Sequence, residues 1–130
     1  PAPDNNGFGG RDISPTWQQW TTQEYLAGLK HPAAESGFAL DFDAMRESDA
    51  CVLVLPCGRS AHLEAGWFVG AGKPLLILLG ATMEPELMYK MATGVYAGLG
   101  ALLLDLQDLE ENMPAIRGGV RSDGQPDPVC

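Results

Sequence analysis

The sequence predicts an α/β protein with a doubly wound, mostly parallel sheet. Residues 50–56 form a continuous apolar run, rich in Val and Leu and too short for a core helix, which fits a strand buried on both faces. After the turn Cys57-Gly58-Arg59 comes a helical stretch over 61–71, then Gly72, Lys73-Pro74 and a second apolar run over 75–79. Strand, crossover helix and strand make a right-handed parallel unit, and the loop leaving its first strand opens at the carboxyl edge of the sheet, where open α/β folds bind ligands.

The elements follow in order. Residues 1–10, PAPDNNGFGG, are loop by composition. In RDISPTWQQW, Ser14 as N-cap and Pro15 at the first helical position start a helix that places Trp17 and Trp20 on one face. These rings either pack on the core or a neighbouring subunit, or one of them, or Phe8 in the preceding loop, stacks on a flat ligand. Residues 22–30 are helical with Tyr25, Leu26 and Leu29 as the apolar face, and His31-Pro32 interrupts them, His31 being a surface or C-cap histidine. Helix resumes over 33–47, with Phe38, Phe42 and Met45 as a core-facing stripe and with Asp41 and Asp43 pointing in different directions.

Ser60 is the expected N-cap of the crossover helix and Gly72 its C-cap, with Lys73-Pro74 stopping it. Glu64 then falls in the first helical turn, where the macrodipole and unpaired amides favour an anion. Its plain alternatives are a solvated Glu or the Glu of a capping box, although Ser60 to Glu64 is one residue longer than S-x-x-E. Past 75–79, residues 80–82 turn, Glu84-Pro85-Glu86 opens a helix through Thr93 with Leu87, Met88 and Met91 as apolar contacts, and Gly94 ends it. Val95-Tyr96 reads as a short edge strand and 99–111 as an amphipathic final helix. Residues 1–111 therefore read as a single α/β domain, and 112–130, aperiodic and full of breakers, as a flexible C-terminal tail.

Composition narrows the function classes. A chain of 130 residues with 45% apolar content buries a real core and is not disordered throughout. A net charge of −9 argues against a nucleic-acid polymer or an anionic membrane as partner. Apolar runs fall well short of the ~18 residues that span a bilayer, and no signal peptide is visible. Cys51 and Cys57 lie in or beside a buried strand and Cys130 is terminal, which is no disulfide framework and suits a reducing cytoplasm. Neither G-x-G-x-x-G after a strand nor G-x-x-x-x-G-K-[ST] occurs, so dinucleotide and P-loop chemistry are set aside. Cys57 and His62 lack further ligands at zinc spacing, so no metal and no cofactor are expected. Five residues across a turn into a helix do not oblige Cys57 and His62 to meet as a nucleophile pair.

The run L-E-A-G-W-F-V-G-A-G-K-P-L-L-I-L, preceded by an apolar strand and by S-D, resembles the nucleoside 2-deoxyribosyltransferase family and its relatives that hydrolyse nucleotide N-glycosidic bonds. That family's pattern is an Asp in a helix, an A/N-D opening a hydrophobic strand, a loop bearing Gly or Ser, then E-x-G and a helix ending G-K-P. The match spans about half the chain. It implies a flavodoxin- or Rossmann-like fold, Glu64 as nucleophile, and Asp41, eight residues before the strand-opening Asp49, as the family's helical Asp. Two departures leave the substrate class open. Gly58 stands six residues before Glu64, where transferases carry Asp, and His62 stands two before it, where relatives have Gly. Family members also begin with a strand and a helix whose loop walls the substrate cleft; that unit is not in this sequence, which reads as a fragment.

The resemblance makes the expected chemistry concrete. Glu64 attacks the anomeric carbon of a ribosyl or deoxyribosyl group through an oxocarbenium-like transition state and forms a glycosyl-enzyme. Asp41 protonates or holds the departing base, with Asp43 the neighbouring carboxylate on that helix. Gly58, Arg59 and Ser60 seat a 5′-phosphate at the helix start, His62 contacts sugar or phosphate or else packs on the turn, and Trp17 or Phe8 stacks on the base. The expected partner is a small-molecule nucleoside or nucleotide, and relatives of this kind assemble as homo-oligomers whose partner completes the cleft. The rival reading is a non-catalytic nucleotide-binding or interaction domain of the same fold.

Overall fold

A computed structural model describes residues 13–81 and 84–117, with side chains as far as Asn112. Phe8 and residues 118–130 of the expected tail lie outside the described residues. The chain divides after Ser48 into two compact units.

Among its described residues the first unit holds two α-helices, α1 (Thr22–Leu29) and α2 (Pro32–Glu47). Ser14 does not start the expected α-helix. Its hydroxyl accepts from the Thr16 amide at 3.2 Å, a local turn that competes with helix, and only a 3-10 turn over Trp17–Gln19 follows. Trp17 and Trp20 therefore share no α-helical face. Trp20 lies over Gly28, where an added Cβ would sit 2.6 Å from Cζ3 of the indole. Thr21 opens α1 with a capping box: its hydroxyl accepts from the Glu24 amide and Glu24 accepts from the Thr21 amide, both at 3.2 Å. His31 belongs to the helix it precedes and is not a C-cap, because Nδ1 accepts from the Ala33 amide at 3.0 Å and Pro32 takes the first helical position. Tyr25, Leu26 and Leu29 are exposed, as is Phe38 at 66%, whereas Phe42 and Met45 are half-buried, so the stripe expected to face a core is covered only in part. Short α1 leaves too little surface to cover them, and Phe38 instead stacks on Phe42 at 5.3 Å.

The second unit runs β1 (Cys51–Val54), α3 (Arg59–Gly70), β2 (Leu75–Leu78), β3 (Gly94–Tyr96) and α4 (Leu99–Arg117). It is an α/β arrangement around an open three-stranded sheet, all parallel, in the order β1-β2-β3, with Cys51 beside Leu75 and Leu76 beside Gly94. Leu53, Leu55, Ala65, Leu75 and Ile77 form the core where α3 packs on β1 and β2. Helix α4 packs on β2 and β3, with Leu102 1% exposed and Leu76 fully buried. Each such side chain removed from water contributes about 1.5–3 kcal/mol. Strand β2 is buried on both faces, as expected, but β1 is not: Val52 and Val54 are 40% and 56% exposed because α4 lies over the other two strands.

The crossover helix ends in a Schellman motif. Gly72 takes φ +75°, its amide donates to the Val69 carbonyl at 3.0 Å, and the Lys73 amide donates to Phe68 at 2.9 Å. Ala71 is thus the C-cap, with Gly72 one residue beyond it, before Pro74. The helix expected over 84–93 is only a 3-10 turn, Leu87–Met91. The Glu86 carboxylate caps the Met88 amide at 2.9 Å, and Thr93 is drawn into pairing with β2, its amide donating to the Leu75 carbonyl at 2.8 Å. The edge strand at Val95-Tyr96 forms as expected. Helix α4 continues past Glu111 to Arg117, into the segment expected to be tail.

Candidate functional site

Helix α3 begins at Arg59, with Gly58 as an N-cap in extended backbone and without a side-chain cap. The Ser60 cap is therefore corrected: Ser60 is already inside the helix, on its exposed surface. Glu64 moves with it. It lies in the second turn, where the dipole's influence has fallen away, and its exposed carboxylate gains no first-turn stabilisation.

His62 is the best-anchored polar side chain here. Its Nδ1 lies 2.9 Å from the Gly58 carbonyl oxygen and 3.6 Å from Cys57 Sγ, while Nε2 lies 2.8 Å from the Tyr89 hydroxyl. The two rings also stack, with centroids 5.8 Å apart. Cys57 and His62, which their spacing did not oblige to meet, are thus neighbours. Tyr89 is the partner that the sequence did not reveal. It is 27 residues from His62 in a stretch that reads as an apolar helix, and no local signal announces the contact.

A cleft of about 510 Å³ opens beside this pair, between α3 and the segment 84–91. His62, Ala65 and Gly66 form one wall, Ile77 part of the floor, and Glu86 and Tyr89 the other wall. A second cleft of about 520 Å³, lined by Leu79, Gly80 and Lys90, shares Glu86 and Tyr89 with it. Burial, with Cys57 and Glu86 nearby, pushes the Tyr89 hydroxyl up from its ordinary pKa, which favours the neutral phenol. Glu64 does not line the first cleft; it lies within electrostatic reach of Cys51. Burial, then the Glu64 carboxylate and Cys57, push that thiol up.

Gly58, Arg59 and Ser60 stand together at the start of α3, whereas His62 and Glu64 lie further along it, His62 on the cleft and Glu64 outside its lining. Asp41 and Asp43 are exposed on α2 in the other unit, Asp43 with Arg46 at 3.9 Å, and Trp17 is 39% exposed there. Among the described residues no group of three or more His, Cys, Asp or Glu is placed to hold a metal ion, and no helix is long and apolar enough to cross a membrane.

Fold and site define an α/β protein with an all-parallel open sheet, a clefted face and a polar crossover-helix start. Compared with protein-family models, with curated proteins and with solved structures, the chain finds no match.

Proposed function

We propose that the chain cleaves or transfers at the N-glycosidic bond of a nucleoside or nucleotide, with Glu64 as nucleophile. The flank of α3 that carries Glu64 is the observation that supports this most. At ~100° per residue, Glu64 lies opposite His62, Gly66 and Val69, three of the residues that face the cleft. Its carboxylate is exposed and within electrostatic reach of Cys51 in β1, a strand whose outer edge no other strand pairs among the described residues. In the doubly wound arrangement that the family resemblance implies, a neighbouring strand and its loop wall the substrate site on that side. A homo-oligomer whose partner completes the wall is part of the same reading.

In the reaction, a Glu64 oxygen bonds to the anomeric carbon as its bond to the base nitrogen breaks, and the departing base takes up a proton from solvent. Water then releases the sugar, or an acceptor base takes it. The uncapped amides at the start of α3, with Arg59 and Ser60, suit a 5′-phosphate. Gly58 in place of the transferase Asp favours hydrolysis of a nucleotide-like substrate.

Incubating the protein with deoxynucleosides and their monophosphates, with and without an acceptor base, tests this. Free base without acceptor identifies a hydrolase, and exchange only with acceptor a transferase. Ligand binding with neither product overturns the proposal in favour of a non-catalytic nucleotide-binding domain.

A further inference from the structure

Cys57, His62 and Tyr89 form a constellation that glycosyl transfer leaves unused. A carbonyl oxygen only accepts, so the 2.9 Å contact with Gly58 places the proton on Nδ1 of His62. That same N–H faces Cys57 Sγ at 3.6 Å, and the lone pair on Nε2 accepts from the Tyr89 hydroxyl at 2.8 Å. The imidazole is held at both ends with a donor turned toward a half-buried free thiol. An N–H donor held beside a sulfur hydrogen-bonds the anion that forms as the thiol reacts, and a third residue fixes the donor's direction.

We propose that Cys57 is a modification site that reacts with a small cationic disulfide by thiol–disulfide exchange, with His62 holding the attacking sulfur and Tyr89 positioning His62. The sulfur gives its proton to solvent, and its electron pair forms a new S–S bond to one sulfur of the reagent. The reagent's own S–S bond breaks, and the departing sulfur leaves with that pair and takes a proton from solvent. Cys57 is oxidised to the mixed disulfide and one half of the reagent is reduced to a thiol.

Two further observations set the selectivity. Cys51 is the internal comparison, a free thiol disfavoured as an anion by burial and by Glu64. Cys57 lies outside the lining of the cleft but 3.6 Å from His62 on its wall, and the Glu84 and Glu86 carboxylates on that lining favour a cationic reagent.

The test is the rate of mixed-disulfide formation on the intact chain with cystamine, a dication, and with dithiodiglycolate, a dianion, each site assigned by mass spectrometry. Cys57 is expected to react at least ~10-fold faster than Cys51 in the native protein and at the same rate as Cys51 in denaturant. Cystamine is expected to outpace the dianion at Cys57, and His62→Gln and Tyr89→Phe each to lower the native Cys57 rate while the denatured rates stay unchanged. Equal native rates at the two cysteines, or a Cys57 rate unaltered in both variants, would overturn the site. A dianion as fast as cystamine would overturn the cationic class. The outcome is independent of whether Glu64 attacks a sugar.

Discussion

His62 Nε2 and the Tyr89 hydroxyl, 2.8 Å apart, link α3 to the 3-10 turn across the sheet's clefted face. Between His62 and Tyr89 runs a direct tie from the crossover helix to the segment that forms the other wall of the cleft. Tyr89→Phe removes the hydrogen bond and keeps the ring stack, so stability should fall by about 1 kcal/mol in denaturant unfolding. An unchanged unfolding midpoint would show that the link holds nothing.

Gly94 in β3 is fixed by a close neighbour. A Cβ added there would overlap the Tyr96 hydroxyl, so Gly94→Ala should cost about 1–3 kcal/mol. The ring carbons Cζ and Cε2 of Tyr96 also stand within 2.8 Å of that Cβ, so combining Gly94→Ala with Tyr96→Ala removes the whole obstruction. The double variant should then lose less stability than the two single losses added together, and simple additivity would contradict the overlap.

Tyr96 donates to Asp105 at 2.6 Å, tying β3 to α4, and burial, that hydrogen bond and the carboxylate charge push its pKa up to about 12. A folded value above the ordinary 10 means that this contribution is fully present below pH 10 and is lost as pH rises toward about 12. Stability of the wild type relative to Tyr96→Phe should be constant below that window and shrink across it. A difference that grows with pH would reverse the sign of the coupling.

Among the described side chains of α4, Leu102 is the one that is fully buried, at 1% exposure, whereas Leu104 is 66% exposed. Leu102→Ala should cost about 2–5 kcal/mol and Leu104→Ala about 0.5 kcal/mol or less in thermal or denaturant unfolding. Equal losses would mean that α4 packs through another face.

What was legible in the sequence is what local chemistry decides. The parallel pairing of β1 with β2, the helix between them and its stop at Gly72-Lys73-Pro74 all follow from apolar runs and a residue that tolerates positive φ. The helix start is less legible: Ser60 is a good cap by type, yet the cap falls two residues earlier, at the extended Gly58, and the backbone turns helical at Arg59. That shift carries Glu64 out of the first turn. The exposed Val52 and Val54 show the limit of reading a strand alone: their residue types suit burial, but whether an element covers them is decided by α4, far along the chain. Tyr89 was hidden for the same reason, since its partner is 27 residues away in sequence.

The glycosyl-transfer account rests on Glu64, and its most direct test is base release by the wild type and by Glu64→Gln, followed chromatographically with deoxynucleosides and their monophosphates. The side chain is exposed, so the variant should keep its fold and circular dichroism while base release drops by at least ~1,000-fold. A folded Glu64→Gln protein that still releases base at the wild-type rate would contradict the assignment.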